Sequence, residues 1–128
     1  MELCPSSKEW VNISKSKNPE LGLRELTIQL ILTLDYLHSI GIYHCDIKTF
    51  NMLVDNHDDK LTLKLIDFGI SKFGNHPQSD TLASAGFQSP EQFKKVPHYP
   101  KDTEAWQIGI ILFLITHDMY PFGGSQSV

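Results

Sequence analysis

The chain has 128 residues, of which 41% are hydrophobic and 20% charged, and its formal net charge is −4. This composition is typical of a globular domain and excludes an intrinsically disordered chain. No run of Lys and Arg supports nucleic-acid binding, and the longest apolar run, residues 108–115, is too short to span a bilayer. We therefore expect neither nucleic acid nor membrane as a partner.

The first part of the chain is predicted to be helical. Polar residues 5–19 are expected to form a loop and a short helix, and a longer helix is predicted at residues 20–39. Its leucines recur every three or four residues: Leu23, Leu26, Leu30, Leu34 and Leu37. Ile28, Ile31 and Leu32 widen this apolar stripe, so we expect the helix to be largely buried.

Two short strands are predicted after this helix, at residues 52–54 and 61–66, with a polar turn at residues 55–60 between them. The polar segment 74–101 is predicted to be a loop with one short helix at residues 90–93. A loop of this length inside a compact domain is usually functional.

The last predicted element is a helix at residues 104–116, which is apolar on nearly every side and ends before Pro121. Such a helix suits the centre of a core. Any face left uncovered would form an apolar patch, which a partner or a further segment of chain would have to cover.

The two cysteines, Cys4 and Cys45, are far apart and fit no metal-binding or redox pattern. Free thiols are typical of proteins in a reducing compartment. We therefore expect a cytoplasmic protein, with the nucleus as the alternative compartment.

A polar constellation lies between the first helix and the second strand. Residues 44–51 read H-C-D-I-K-T-F-N and combine Asp46, Lys48 and Asn51, while Asp67 follows the second strand. Two carboxylates, a lysine and an asparagine would thus converge at the ends of adjacent strands. This set suits a magnesium–polyphosphate site, because Mg²⁺ takes a few hard oxygen ligands from protein and the rest from phosphates and water.

Each of these residues also has an ordinary structural interpretation. Asp46 and Asp67 could be surface carboxylates, and Asn51 could be only a turn residue before a strand. A zinc site made by His44, Cys45 and Asp46 is disfavoured, because adjacent residues rarely converge on one ion.

Five short motifs, in register, resemble those of the eukaryotic protein kinase family. Residues 44–51 are similar to its H-R-D-L-x-x-x-N motif, residues 67–69 are its D-F-G motif, and residues 89–91 are similar to A-P-E. Residues 106–109 resemble its central helix and residues 120–122 the turn after it. The resemblance covers nearly the whole chain and points to serine/threonine kinases.

This resemblance implies an α+β fold that corresponds to the C-terminal lobe of a kinase, mainly helical with a small β-ribbon carrying the catalytic loop. It further implies that residues 1–128 are a partial protein kinase domain, from the hinge to the central helix. We expect such a chain to lack the N-terminal lobe and to be inactive alone.

The family's roles carry over to the matching residues. The resemblance implies that Asp46 accepts the proton of the substrate hydroxyl and that Lys48 neutralises charge on the transferred phosphoryl group. Asn51 and Asp67 would hold Mg²⁺, and Leu53 would lie under the adenine ring of ATP. ATP and Mg²⁺ are therefore the expected cofactors, and the expected partner is a protein substrate with a Ser or Thr acceptor.

Further residues are implied to frame this site. Glu2 and Cys4 resemble the hinge, whose backbone groups meet the adenine edge. Ser84 matches a family threonine that positions the catalytic loop and the acceptor. Ser79 and Thr81 lie in the segment that matches the activation loop, where kinases are often phosphorylated.

The chain also departs from the family pattern. Cys45 replaces the arginine of H-R-D, which removes a group that binds phosphate. Glu104 replaces an aspartate that anchors the backbone of the catalytic loop, so the anchoring is in doubt. Glu91 is expected to be a buried carboxylate whose arginine partner the chain does not contain.

Two hypotheses about function follow. The first is ATP-dependent phosphoryl transfer to Ser or Thr as part of a complete kinase domain, which the retention of Asp46, Lys48, Asn51 and Asp67 favours. The alternative is a non-catalytic fragment or a pseudokinase-like interaction module, which the absence of the glycine-rich loop and its strand lysine favours.

Overall fold

A computed structural model describes residues 18–58 and 60–122 of the chain. It shows three α-helices, one turn of 3₁₀-helix and two small antiparallel sheets, in agreement with the predicted mixed α and β composition. The elements in order are α1 (Pro19–Ser39), β1 (Ile42–Tyr43), the 3₁₀ turn (Thr49–Asn51), β2 (Met52–His57), β3 (Lys60–Leu65), β4 (Lys72–Phe73), α2 (Pro90–Phe93) and α3 (Pro100–His117). The short helix expected within residues 5–19 lies outside the described residues.

Helix α1 begins one residue before the predicted start, and Pro19 suits this position because its missing N–H has no helical partner. At the other end Gly41, at φ +78°, donates its N–H to the carbonyl of His38. This left-handed conformation favours glycine and ends the helix.

The expectation that α1 is largely buried is wrong. Its buried side chains are Leu26, Leu30 and Leu34, which lie on one stripe of the helix. Ile28 and Ile31 are each 48% exposed, and Leu32 is 62% exposed. Among the described residues, the neighbouring elements cover only the side of α1 that carries these three leucines, which recur every four residues. The two isoleucines and Leu32 therefore remain on its exposed side.

The hairpin of β2 and β3 is longer than predicted. Met52 pairs with Leu65 and His57 with Lys60, so the ladder continues through the polar residues that were expected to form the turn. The ladder bonds join backbone groups, so polar side chains do not end it. Strands β1 and β4 form a second pair, which the sequence did not predict because two-residue strands carry no alternation.

The core lies between α1, the hairpin and α3. Its buried apolar residues are Leu26, Leu30, Leu34, Ile47, Met52, Val54, Leu63, Phe87, Ile110 and Ile111. Gln29 adds a polar link between α1 and β3, because its side-chain amide donates to the carbonyl of Leu61 (2.8 Å) and accepts from the N–H of Leu63 (2.8 Å).

Helix α3 begins at Pro100, four residues before the predicted start, and its buried face is more polar than predicted. Thr103, Glu104 and Gln107 are all at most 2% exposed, together with Ile110 and Ile111. No large apolar side chain of this helix is exposed, so the open apolar face expected here lies on α1 instead.

The segment before α3 is a loop with one short helix, as predicted, but the loop ends at Tyr99 because α3 already begins at Pro100. Helix α2 has the predicted bounds and is capped reciprocally, with Ser89 accepting from the N–H of Gln92 and the Gln92 side chain accepting from the N–H of Ser89. Glu91 is exposed, so the expected buried carboxylate is not found. None of the helices in residues 18–58 and 60–122 has the length and apolar character needed to cross a bilayer.

The two faces of α1 predict different responses to the same truncation. Leu26→Ala should lower the free energy of unfolding by about 2–5 kcal/mol, because the fully buried side chain leaves a cavity. Leu32→Ala, on the exposed side of the same helix, should change it by less than about 0.5 kcal/mol. Urea unfolding measures both, and equal losses for the two variants would contradict the burial described here.

Candidate active site

Residues 44–51 connect β1 to β2 and hold the side chain of Asp46 among three polar groups. Ser84 Oγ donates to Asp46 Oδ1 (2.9 Å), and Asn51 Nδ2 donates to Asp46 Oδ2 (3.0 Å). Lys48 Nζ lies 3.7 Å from Asp46 Oδ2. The carboxylate is therefore held in one orientation by donors on both of its oxygens, one of which also faces a positive charge.

Ser84 connects the loop that follows β4 to this cluster. Its hydroxyl accepts from Lys48 Nζ (2.6 Å) while it donates to Asp46 Oδ1. A single hydroxyl can do both, since it carries one proton and two lone pairs. The side chains of Asp46 and Lys48 are only 13% and 23% exposed, so the three groups form a partly shielded polar chain.

Asn51 ties the cluster to the residues that precede Asp67. Its Nδ2 also donates to the backbone carbonyl of Asp46 (2.9 Å). The backbone carbonyl of Asn51 accepts from the N–H of Ile66 (2.9 Å). Because both side-chain contacts use Nδ2, the Oδ1 atom stays available as a ligand. Asp67, at φ +60°, is exposed, and its Oδ1 accepts from the N–H of Gly69 (3.1 Å).

The oxygens of Asn51 and Asp67 are of the type that binds magnesium. Asn51 carries an amide oxygen and Asp67 a carboxylate, and both are hard ligands of the kind Mg²⁺ prefers. Within residues 18–58 and 60–122, no group of three or more His, Cys, Asp or Glu side chains could hold a metal.

His44 has a structural role in the loop. It is fully buried, its Nε2 donates to the carbonyl of Ile66 (2.8 Å), and its Nδ1 accepts from the N–H of Asp46 (3.2 Å). The ring also meets Phe68 edge-on, with centroids 4.7 Å apart. Both nitrogens are occupied, so His44 links the loop to residues 66–68 and is not a general base.

Glu104 in helix α3 anchors the backbone of the loop. The replacement of aspartate by glutamate at this position therefore does not prevent the anchoring. It is 1% exposed, and its Oε1 accepts from the N–H groups of His44 (2.5 Å) and Cys45 (3.2 Å). Its Oε2 contacts His38 Nε2 (2.5 Å). The ring of His38 also stacks on Tyr43, with centroids 4.4 Å apart.

Gln107, one turn after Glu104, was also missed as a site residue. It is fully buried and bonds the backbone of residues 45 and 47. The signal that could have found it is the pair of polar residues at positions i and i+3 of an otherwise apolar helix.

The comparisons with known proteins agree with this geometry. The sequence profile of the protein kinase domain matches residues 1–128. The chain belongs to the protein kinase family. It is 34% identical over 125 residues to calcium-dependent protein kinase 13 of Oryza sativa subsp. japonica, covering 95% of this chain and 22% of that protein.

Other relatives have similar names. Calcium-dependent protein kinase 6 of Arabidopsis thaliana is 34% identical over 125 residues, which cover 95% of this chain and 23% of that protein. CBL-interacting serine/threonine-protein kinase 20 of Arabidopsis thaliana is 32% identical over 127 residues, which cover 95% of this chain and 28% of that protein. The chain therefore spans about a quarter of the length of these kinases.

The remaining predicted site residues of this kinase chain lie around the cluster or outside the described part. Leu53 is half-buried in β2 and lies on the strand face opposite to buried Met52 and Val54. Glu2 and Cys4 lie outside the described residues.

Ser79 and Thr81 are exposed and flank Asp80, whose Oδ2 accepts from Lys72 Nζ (2.7 Å). The N–H of Leu82 donates to Asp80 Oδ1 (3.1 Å). Burial opposes ionisation of Asp80, but the hydrogen bonds from Lys72 and Leu82 and the charge of Lys72 outweigh it and lower its pKa. The segment is thus tied to β4 by an ion pair.

Cys45 lies beside this ion pair in a strained backbone conformation, at φ +65°. Burial raises the pKa of its thiol to about 12, and the negative charges of Glu104 and Asp80 add to the effect while Lys72 opposes it. The thiol is therefore neutral at physiological pH, and the position that the family fills with arginine carries no charge.

The thiol of Cys45 should be unreactive in the folded protein. With Cys4 replaced by serine, alkylation at pH 8 should be at least about 100-fold slower than in urea, because only the thiolate reacts and the site is buried. Mass spectrometry of the alkylated chain measures both rates. Equal rates with and without urea would show that Cys45 is accessible and ionised.

Proposed function

We propose that this chain provides the catalytic loop, the metal ligands and the activation segment of an ATP-dependent serine/threonine protein kinase. The observation that carries the proposal is the chain of contacts from Lys48 through Ser84 to Asp46 and on to Asn51. We further propose that the chain forms part of the C-terminal lobe of the kinase. The mainly helical architecture and the position of the β2–β3 hairpin support this assignment.

Asp46 is the proposed acceptor for the proton of the substrate hydroxyl. Its two oxygens already take donors from Ser84 and Asn51, so the carboxylate is held rigidly where an incoming hydroxyl would meet it. Lys48 lies beside Asp46 and would place positive charge near the transferred phosphoryl group. Lysine at this position favours Ser or Thr in a protein substrate as the acceptor.

Asn51 and Asp67 are the proposed holders of Mg²⁺, which would neutralise charge on the phosphates of ATP. The hydrogen bond from the N–H of Ile66 to the backbone carbonyl of Asn51 joins the two proposed ligands through the residue that precedes Asp67. Leu53 is the proposed apolar contact for the adenine ring, since its side chain is on the face of β2 that the core does not use. A reducing compartment, cytoplasm or nucleus, is the proposed location.

The alternative, a non-catalytic kinase-like interaction module, has less support. A module without catalysis would have no reason to keep Asp46, Lys48 and Ser84 in mutual contact around a partly buried carboxylate. The exposed side of α1, with Ile28, Ile31 and Leu32, favours burial against further chain or a partner, and both hypotheses accommodate this.

Replacing the two aspartates by asparagine in the full-length protein should separate their roles. Asp46→Asn should lower the turnover number by about 10²- to 10⁴-fold and leave nucleotide affinity nearly unchanged, because it removes only the proton acceptor. Asp67→Asn should weaken Mg-dependent ATP binding, because it removes an anionic ligand.

Transfer of labelled phosphate to a serine peptide and titration with a fluorescent ATP analogue measure the two effects. Asp55→Asn is the matched control, since Asp55 is an exposed carboxylate in the hairpin, and it should change neither. Unchanged turnover in Asp46→Asn would overturn the proposed function.

Phosphorylation of the activation segment should have little effect on activity. Lys72 is already paired with Asp80, and Cys45 offers no positive charge to a phosphate on Ser79 or Thr81. Phosphatase treatment and the double variant Ser79→Ala with Thr81→Ala should each leave turnover within about twofold of the untreated protein. A large loss of activity after dephosphorylation, restored by rephosphorylation, would contradict this.

A further inference from the structure

Helix α3 buries three polar side chains, Thr103, Glu104 and Gln107, and the two larger ones, Glu104 and Gln107, reach the loop of residues 44–51. A buried polar group is costly unless its hydrogen bonds are made. One carboxylate oxygen of Glu104 and both polar atoms of the Gln107 amide bond backbone groups of the catalytic loop, while the other oxygen of Glu104 contacts His38. Glu104 accepts hydrogen bonds from the N–H groups of His44 and Cys45, and Gln107 accepts one from the N–H of Ile47.

Gln107 holds the backbone on both sides of Asp46. Its Nε2 donates to the carbonyl of Cys45 (2.8 Å), and its Oε1 accepts from the N–H of Ile47 (2.9 Å). The carbonyl belongs to the peptide unit before Asp46, and the N–H belongs to the unit after it. One side-chain amide therefore holds the two peptide planes that meet at the Cα atom of Asp46.

The loop needs such support because of its local conformation. Cys45 is a non-glycine residue at φ +65°, a region that costs free energy and persists only where surrounding contacts hold it. Glu104 holds the N–H of Cys45, and Gln107 holds its carbonyl. The direction of the Asp46 side chain follows from the backbone that these two residues keep in place.

We propose that Gln107 is a positioning residue for the phosphoryl transfer reaction, acting through the backbone of Asp46. This inference rests on the proposed function, since it assigns Gln107 to the orientation of the proton acceptor. Gln107 has no contact with Asp67, so its loss should reduce turnover while ATP affinity is kept.

The same chain contains a matched control. Gln29 makes an equivalent two-bond clamp, donating to the carbonyl of Leu61 (2.8 Å) and accepting from the N–H of Leu63 (2.8 Å), on either side of Thr62. This clamp lies in the hairpin, and Thr62 is exposed and has no part in the site. Replacing either glutamine by methionine removes two hydrogen bonds and keeps the side-chain length.

The test uses Gln107→Met and Gln29→Met in the full-length protein. Gln107→Met should lower the turnover number by about 10- to 100-fold, the loss typical of a misplaced catalytic group, and change KM for ATP by less than about threefold. Gln29→Met should lower thermal stability but leave the turnover number within about twofold. A turnover number for Gln107→Met within twofold of wild type would overturn the inference.

Gln107→Glu provides a second test that a purely packing role would not pass. A protonated carboxyl group can donate to the carbonyl of Cys45 and accept from the N–H of Ile47, whereas an ionised one cannot donate. Burial next to Glu104 should raise the pKa of the new carboxyl group. The turnover number relative to wild type should therefore rise as the pH falls from 8 to 6, and a flat ratio would count against the clamp.

Hydrogen exchange at the amide of Ile47 separates failure of the clamp from failure of the proposed function. The amide should exchange at least about tenfold faster in Gln107→Met than in wild type and in Gln29→Met. Unchanged exchange would overturn the clamp itself. A wild-type protein whose amide is protected by Gln107 but which transfers no phosphate would instead overturn the proposed function, and the catalytic role of Gln107 with it.

Discussion

The loop of residues 44–51 depends on the buried carboxylate of Glu104. It accepts two backbone N–H groups of the loop on one oxygen and meets His38 on the other, while it is almost completely removed from solvent. A buried carboxylate is tolerated only when such partners satisfy it, and the loop N–H groups would in turn be unsatisfied without it. The conformation of Cys45 and the direction of Asp46 both follow from this mutual requirement.

The site is a junction of three segments that are far apart in sequence. Helix α3 supports the loop from one side, the segment after β4 reaches it through Ser84, and Asn51 connects it to the end of the hairpin. Each connection ends on Asp46 or on the backbone beside it. The polar network therefore couples the segment after β4 to the group proposed to accept the proton through the single hydroxyl of Ser84.

Much of the local structure could be predicted from the sequence, because it depends on short-range patterns. Local sequence patterns were enough to predict helix α1 from its leucine period, the bounds of α2, and a hairpin within residues 52–65. Asp46 and Asn51 are five residues apart on one loop, so their contact is also nearly local. The burial of α1 was mispredicted, because exposure of Ile31 depends on which neighbours cover the helix.

The contacts of Glu104 and Gln107 could not be predicted, because they join residues about 60 positions apart and neither residue has a local signal for its partner. The ion pair of Lys72 and Asp80 was missed for a different reason: the two residues are 8 positions apart, but the irregular segment between them gives no periodic signal for the contact. Contacts within residues 44–51 could thus be predicted, whereas contacts to a distant helix or across an irregular segment could not.

The ion pair between Lys72 and Asp80 has a consequence for how the segment after β4 is held. The carboxylate is part of the polypeptide, so its presence at the lysine is independent of any modifying enzyme. The contact between residues 72 and 80 therefore forms when the chain folds, and it needs no phosphate group added afterwards.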